Sequence, residues 1–176
     1  MKQPKASPQE LRRLTEHFRA LGAVDPELWA KSQLEEGTPQ YARLVFLRQA
    51  WKAIIADGDT SWIDVLIRVS EHSPRGPGAG AGPALERMLA AGASREDLAE
   101  VVRVKQWGVL FALTYLLSDP GKVEYPSKKL PRVNWALFEV DENGKPLHPI
   151  PGLHESVLGT DPSGREMRPK GVGREG

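Results

Sequence analysis

Apolar residues recur at helical spacing in the first part of the chain. Leu11, Leu14 and Phe18 lie three or four positions apart, which is the spacing of one face of an α-helix. Residues 7–10, SPQE, precede them with a serine N-cap, a proline at the first helical position and a glutamate at the third. Gly22 suits the position just after a helix. The pattern therefore predicts a first helix from about residue 8 to residue 21.

Similar start and stop signals predict five further helices. One of them is ambiguous, because Ile63, Val65 and Ile67 are β-branched and alternate, which also favours a strand. We prefer a helix there, since the neighbouring segments are helical and no partner strand is close in the sequence. The predicted helices after the first cover about 26–37, 39–57, 60–72, 84–91 and 95–117.

The last predicted helix changes character along its length. Its first half is amphipathic, whereas the segment 107–117, WGVLFALTYLL, is apolar on all sides. A helix of that kind is expected to be covered on every side, so we predict that it is the buried centre of a helical bundle. Gly108 lies inside it, at a cost of about 1 kcal/mol relative to alanine. We interpret Gly108 as a point of close helix–helix approach, or as room for a ligand.

The pattern changes after Pro120. Residues 133–140 have strand propensity, residues 141–144 form a turn with Asn-Gly, and a second strand begins at Lys145. Three prolines confine that second strand to the edge of a sheet. The predicted fold is mainly α, with five or six helices packed orthogonally or as a bundle around the helix 95–117, and a small C-terminal β-hairpin.

Turn-forming residues divide the chain unevenly. Seven of the ten residues from 74 to 83 are Gly or Pro, which predicts a flexible loop. We expect a helical domain over 1–119 that this loop interrupts. A β-hairpin extension over 120–158 should pack on the helices, because a two-stranded hairpin is marginal alone. The remaining segment, 159–176, is predicted to be a mobile tail.

Composition and charge narrow the function classes. The 176 residues include 24 Lys or Arg and 23 Asp or Glu, for a formal net charge of +1, which gives no overall field for nucleic acid or an anionic membrane. The chain has no cysteine, which excludes disulfides, a thiolate nucleophile and Cys-ligated zinc. The longest apolar run has 11 residues, against the ~20 that cross a bilayer, and no secretory signal begins the chain. We expect a cytoplasmic protein with no membrane partner.

One cluster of polar residues is a candidate catalytic site. Asp64, Arg68 and His72 recur every four positions, so a helix places them on one face. A carboxylate, a guanidinium and an imidazole together could perform acid–base chemistry. The same residues also describe a solvated face held by weak ion pairs. A small enzyme that uses this cluster is one alternative hypothesis.

Cofactor and metal motifs are incomplete. The Gly-rich loop 75–82 precedes a proline-started helix, which is suitable for an anion, but no Gly-Lys-Ser/Thr follows it and no strand precedes it. His148 and His154 lack the spacing of a zincin helix. The turn at 141–144 resembles the start of a calcium loop, yet Gly152 occupies the position that requires glutamate. We therefore expect no cofactor and no metal, and interpret 75–82 as a flexible connector.

A second alternative is a helix-turn-helix nucleic-acid binder over 88–103. The layout of a short helix, a Gly-containing turn and a second helix is suitable. However, acidic residues occupy the start of the second helix, where phosphates would lie. Nucleic acid is therefore not the expected partner.

Protein binding is the preferred function. Trp29 is the tryptophan expected to be most exposed, because its helix is short and otherwise poor in apolar residues, and beside Leu28 it would favour an interface. Arg165 and Arg168 in the tail are further partner-binding candidates. We interpret the chain as a non-enzymatic protein-interaction module, of the adaptor kind or like a bacterial immunity protein, whose partner is another protein.

Overall fold

A computed structural model describes residues 7–118, 131 and 133–171. The described chain is mainly helical, with a two-stranded antiparallel sheet near its C-terminal end, as the sequence predicts. None of the described helices combines the length and the hydropathy that crossing a membrane requires. The helices are α1 Pro8–Ala20, α2 Pro26–Glu36, α3 Gln40–Trp51, α4 Ser61–His72, α5 Ala81–Ala90, α6 Arg95–Ser118 and α7 Leu153–Ser156; a 3-10 turn covers Leu158–Thr160, and the strands are β1 Phe138–Val140 and β2 Pro146–Pro149.

Contacts divide the chain into two compact units. The first unit contains residues 1–51 and 110–176, and the second contains residues 52–109. The domain boundaries at 119 and 158 that we drew from the sequence stay a prediction. Residues 119–130 of the predicted hairpin extension lie outside the described residues.

Capping residues start three of the helices where the sequence predicts. The side chains of Ser7, Asp25 and Ser94 each accept a hydrogen bond from the backbone N–H three residues later, at 3.1, 3.0 and 3.0 Å. Such a cap satisfies one of the N–H groups that the first turn leaves without a partner, and contributes about 1 kcal/mol. The local sequence therefore determines these helix starts.

Aromatic packing forms the core of α1, α2 and α3 in the first unit. Phe18 and Leu44 are buried, and the Phe18 ring lies 5.9 Å from the rings of Trp29 and Tyr41. The α3 helix ends at Trp51, whereas the sequence predicted an end near residue 57. The Trp51 indole N–H donates to the carbonyl of Val157 and to the hydroxyl of Thr160, both at 3.1 Å.

The described part of the predicted tail contains a turn around a buried carboxylate. Asp161 is buried, and its carboxylate accepts hydrogen bonds from the Ser163 and Met167 backbone N–H groups at 3.0 and 3.2 Å. The mobility of 159–176 stays a prediction, and residues 172–176 lie outside the described residues.

In the second unit, Ile63, Leu85 and Leu98 join α4, α5 and the start of α6 in one core. Residues 61–72 are helical, so the preferred interpretation of the ambiguous segment is confirmed. Ile63 faces the core, whereas Val65 and Val69 are exposed. The alternation of β-branched residues therefore reflects two outward valines and not a strand.

A glycine explains how closely α4 and α5 approach each other. The α5 helix begins at Ala81, before the position predicted from Pro83. Gly82 is buried and its N–H donates to the Ser70 hydroxyl at 3.0 Å. A Cβ at position 82 would lie 2.6 Å from the Ser70 Cβ and 3.1 Å from the Ile67 Cα. One glycine of the predicted flexible loop is thus a packing residue.

The prediction that the segment 107–117 is enclosed on every side is wrong. Val109 and Leu113 are 60% and 52% exposed, and Leu116 is also exposed. Burial changes along α6: Leu98 and Val109 lie within about 20° of each other around the helix axis, yet Leu98 is buried in the core of the second unit and Val109 is open to solvent. The interpretation of Gly108 as a close approach is also wrong. Apart from its chain neighbours and the nearby backbone of α6, no atom of the described residues lies within 4 Å of the position that its Cβ would occupy.

The hairpin lies where the sequence predicts. Phe138 pairs with Pro149 and Val140 with Pro146. The Asp141 carboxylate accepts hydrogen bonds from two backbone N–H groups of the turn, each at 2.9 Å. In a two-stranded sheet every strand is an edge, so the two prolines of β2 are tolerated.

Candidate functional site

Asp64, Arg68 and His72 lie together on α4 but are exposed. The Asp64 carboxylate binds the Arg95 guanidinium through two hydrogen bonds of 2.8 and 3.1 Å. That hydrogen-bonded guanidinium is the main reason why the pKa of Asp64 lies below its ordinary value. The His72 Nδ1 lies 2.8 Å from the Arg68 carbonyl oxygen. The arrangement is a surface ion pair with a local backbone contact.

The two arginines of the helix-turn-helix candidate, 88–103, both have internal partners. Arg95 binds Asp64, as above. Arg103 is buried, and its guanidinium donates to the Ile55 carbonyl. Phosphate contacts require basic side chains at the surface. The geometry therefore gives little support for reading nucleic acid with this helix.

The two residues proposed at an interface on α2 differ in exposure. Leu28 is exposed, whereas Trp29 is half-buried and packs with the core cluster of Phe18. The Trp29 ring lies 5.9 Å from the Phe18 ring, which fixes it in the first unit. The role of Leu28 and Trp29 in binding a partner stays a prediction.

The arginines proposed in the tail also make local contacts. Arg165 is half-buried, and its guanidinium donates to the Arg168 carbonyl at 2.6 Å. The Arg168 guanidinium lies 3.2 Å from the Glu166 carboxylate. Their role in binding a partner stays a prediction.

The histidines that the sequence singled out, His148 and His154, lie in β2 and α7. Among the described residues, no group of three or more His, Cys, Asp or Glu could hold a metal ion. His154 packs instead against aromatic rings, with its centroid 4.6 Å from that of Tyr115 and 6.1 Å from that of Phe111.

Three exposed valines occupy one side of α6 within the second unit. Val101, Val104 and Val109 are 61%, 40% and 60% exposed, and Gly108 lies between them on the helix surface. We call this set the valine face. Val101 and Val104 occur among charged residues, which is a sequence pattern that indicates exposure. We nevertheless assigned the apolar residues of α6 to the core.

A cavity of about 410 Å³ lies in the first unit, between the hairpin and the helices. Sequence analysis did not find it, since α1, α2, α3 and both strands contribute to it and no local motif connects them. We call it the hairpin cavity; it is lined by Leu14, His17, Gln33, Gly37, Thr38, Pro39, Tyr41, Ala42, Glu139, Leu147 and His148.

Comparison with known proteins adds no relative to this picture. Neither a protein-family model, nor a curated protein, nor a solved structure matches the chain. The valine face and the hairpin cavity are therefore the two surfaces from which a function can be inferred.

Proposed function

We propose that the chain is a non-enzymatic protein-interaction module, of the adaptor or immunity kind, that binds an apolar α-helix of another protein on the valine face. The observation that carries this proposal is the exposure of Val101, Val104 and Val109 along one helix. Exposed apolar patches larger than scattered single residues are typical of interaction sites. Solvation of three valines is unfavourable, and covering them with another apolar surface removes that cost.

The shape of the valine face favours a helix as the occupant. Gly108 has open space where a Cβ would stand, so the valines border a shallow depression. A ridge of side chains from a second helix packs into such a depression, and small residues at the contact shorten the distance between the axes. The three valines of the face follow one helix, α6.

The exposed cluster on α4 supports an interaction module over an enzyme. Asp64 is bound to Arg95, and the other two members of the cluster, Arg68 and His72, are open to solvent. General acid–base catalysis needs a positioned group within reach of a bound substrate. Nothing in this arrangement encloses one.

The test is site-specific photo-crosslinking at positions 101, 104 and 109 in the cells that make the protein, followed by purification of the adduct partner. The affinity of the purified partner is then measured for Val101→Lys with Val104→Lys. The matched control is Val65→Lys with Val69→Lys, the exposed valines of α4. We expect at least about a tenfold weaker complex for the α6 pair, because two lysines would be desolvated at the contact, and little change for the α4 pair.

Three results would overturn the proposal. One is the absence of an adduct from any of the three positions, and another is equal weakening by the α4 pair. An adduct between two copies of this chain, with a dimer in sedimentation velocity, would replace the partner protein by self-association.

A further inference from the structure

We infer that the hairpin cavity binds an organic cation, namely a guanidinium or an alkylammonium group. The cavity lies in the first unit, and the valine face lies in the second, so this inference is independent of the proposed function. Its volume of about 410 Å³ lies in the range of roughly 300–1,000 Å³ that is usual for small-ligand sites. A side chain of arginine or lysine is smaller than that space.

The charged side chain in the cavity lining favours a cationic ligand. The lining residues include one carboxylate, that of Glu139, and no lysine or arginine. Among the described residues, the contact of that carboxylate with a basic group is to the His148 imidazole, whose Nδ1 lies 3.7 Å from Oε2, beyond hydrogen-bond distance. The Glu139 side chain is partly shielded from water. A carboxylate in that position is able to accept hydrogen bonds from a guest cation, and such charge-assisted bonds are the stronger kind.

The cavity offers fewer partners to an anionic ligand than to a cation. The cavity touches the first turn of α3, where backbone N–H groups without helical partners could attract an anion. However, the Tyr41 N–H already donates to the Gln33 side-chain oxygen at 2.8 Å. The Gln40 N–H likewise donates to the Thr38 carbonyl at 2.7 Å, so two first-turn donors are occupied, and Glu139 is the residue of fixed charge in the lining.

The aromatic part of the lining suits the same ligand. The Tyr41 ring lies 5.9 Å from the Phe18 ring in an edge arrangement and 6.1 Å from the His17 ring. These contacts hold the tyrosine in place, so little side-chain entropy is lost when a guest binds. Cations are attracted to the faces of aromatic rings, and a guanidinium also stacks on them. A carboxylate and a tyrosine together therefore favour a flat or alkylated cation over a neutral guest.

The probes for a test are blocked arginine (N-acetyl-arginine methylamide), n-butylguanidinium, and blocked glutamate as an acidic control. Binding to the full chain is followed by backbone amide NMR shifts. Because the site is open and small, we expect a millimolar Kd for the two cations. The shifts should be at Tyr41, Ala42 and Leu147. Tighter binding of blocked arginine assigns the site to a peptide side chain, and tighter binding of n-butylguanidinium assigns it to a free small cation; both support the inference.

Two variants make the result specific. Glu139→Gln should weaken both cations at least about fivefold, since it removes the charge that accepts their hydrogen bonds. The control Glu142→Gln changes the same residue type in the hairpin turn, outside the lining, and should leave the Kd within about twofold. The inference is overturned if the cations shift no cavity residue, if blocked glutamate binds as well as they do, or if Glu139→Gln binds like the unchanged chain.

Discussion

Arg43 is a buried cation that joins α3 to α7 within the first unit. It is only 5% exposed, and its guanidinium donates hydrogen bonds to the Gly152 carbonyl and, at 2.9 Å, to the Ser156 hydroxyl. The Glu155 carboxylate lies 3.5 Å away, but its side chain is 68% exposed. Burial lowers the pKa of Arg43, and the nearby carboxylate opposes that effect only in part. The hydrogen bonds, more than the ion pair, should therefore hold this contact.

The substitution Arg43→Met keeps an unbranched apolar stem and removes the guanidinium with its donors. A hydrogen bond from a charged group is worth about 1.5–3 kcal/mol, and a buried carbonyl left without a donor costs about 1–3 kcal/mol. Methionine recovers part of this amount, because the charge no longer has to be buried and the apolar stem is kept. We expect a net loss of about 2–3 kcal/mol in the free energy of unfolding. The matched change Glu155→Gln should cost about 0.5 kcal/mol or less, as for an exposed pair.

Urea unfolding, followed by tryptophan fluorescence and far-UV circular dichroism, measures both variants. Trp51 reports on the same unit, since its indole contacts Val157. Amide hydrogen exchange of residues 152–160 gives a local readout and should accelerate in Arg43→Met alone. The reasoning is refuted if Arg43→Met unfolds within about 0.5 kcal/mol of the unchanged chain. It is refuted equally if Glu155→Gln costs as much as Arg43→Met.

Three further substitutions test the packing and the surface of the second unit. Gly82→Ala should destabilise the chain by about 1–3 kcal/mol in urea unfolding, because its Cβ would meet Ser70; a neutral result would show that α4 and α5 can separate freely. Gly108→Ala should stabilise it by up to about 1 kcal/mol, since alanine favours the helix and the space is open; a loss of stability would contradict the exposed position. Asp64→Asn should lower the melting temperature at pH 7 but hardly at pH 2. The Arg95 hydrogen bonds depress the pKa of this carboxyl, so its contribution is complete above the unfolded pKa of about 3.9 and is lost as the pH falls through the lower folded value. An equal effect at both pH values would refute that pairing.

The sequence predicted those features that depend on a few neighbouring residues. The capping side chains of Ser7, Asp25 and Ser94 act within one turn, so their residue types suffice to locate a helix start. The hairpin follows from a turn with Asn-Gly and from prolines that only an edge strand accepts. Segment 61–72 was ambiguous because local propensity there favours both helix and strand, and only its packing decides between them.

Burial along α6 could not be predicted in the same way. The apolar character of a residue favours its burial, but it does not show whether another helix or strand is available to cover it. Thr114 and Leu113 are adjacent, yet the threonine is 1% exposed and the leucine 52%. The threonine satisfies its own hydroxyl by donating to the Phe111 carbonyl at 2.9 Å, so burying it carries no unpaired donor. Helix orientation, which depends on the remaining elements, therefore outweighs hydrophobicity at these positions.

The roles of the two helical glycines could not be predicted from the sequence either. Gly108 lies in the interior of α6, where glycine costs about 1 kcal/mol relative to alanine, and Gly82 lies in the first turn of α5. At position 82 a side chain would meet Ser70, whereas the space at position 108 is open. The sequence does not show this difference, because the neighbouring helix decides which glycine is a packing residue. A site that is assembled from distant segments is still harder to predict. His17, Tyr41 and Glu139 line one cavity only because the hairpin lies against the helices of the first unit. No local sequence pattern connects these three residues.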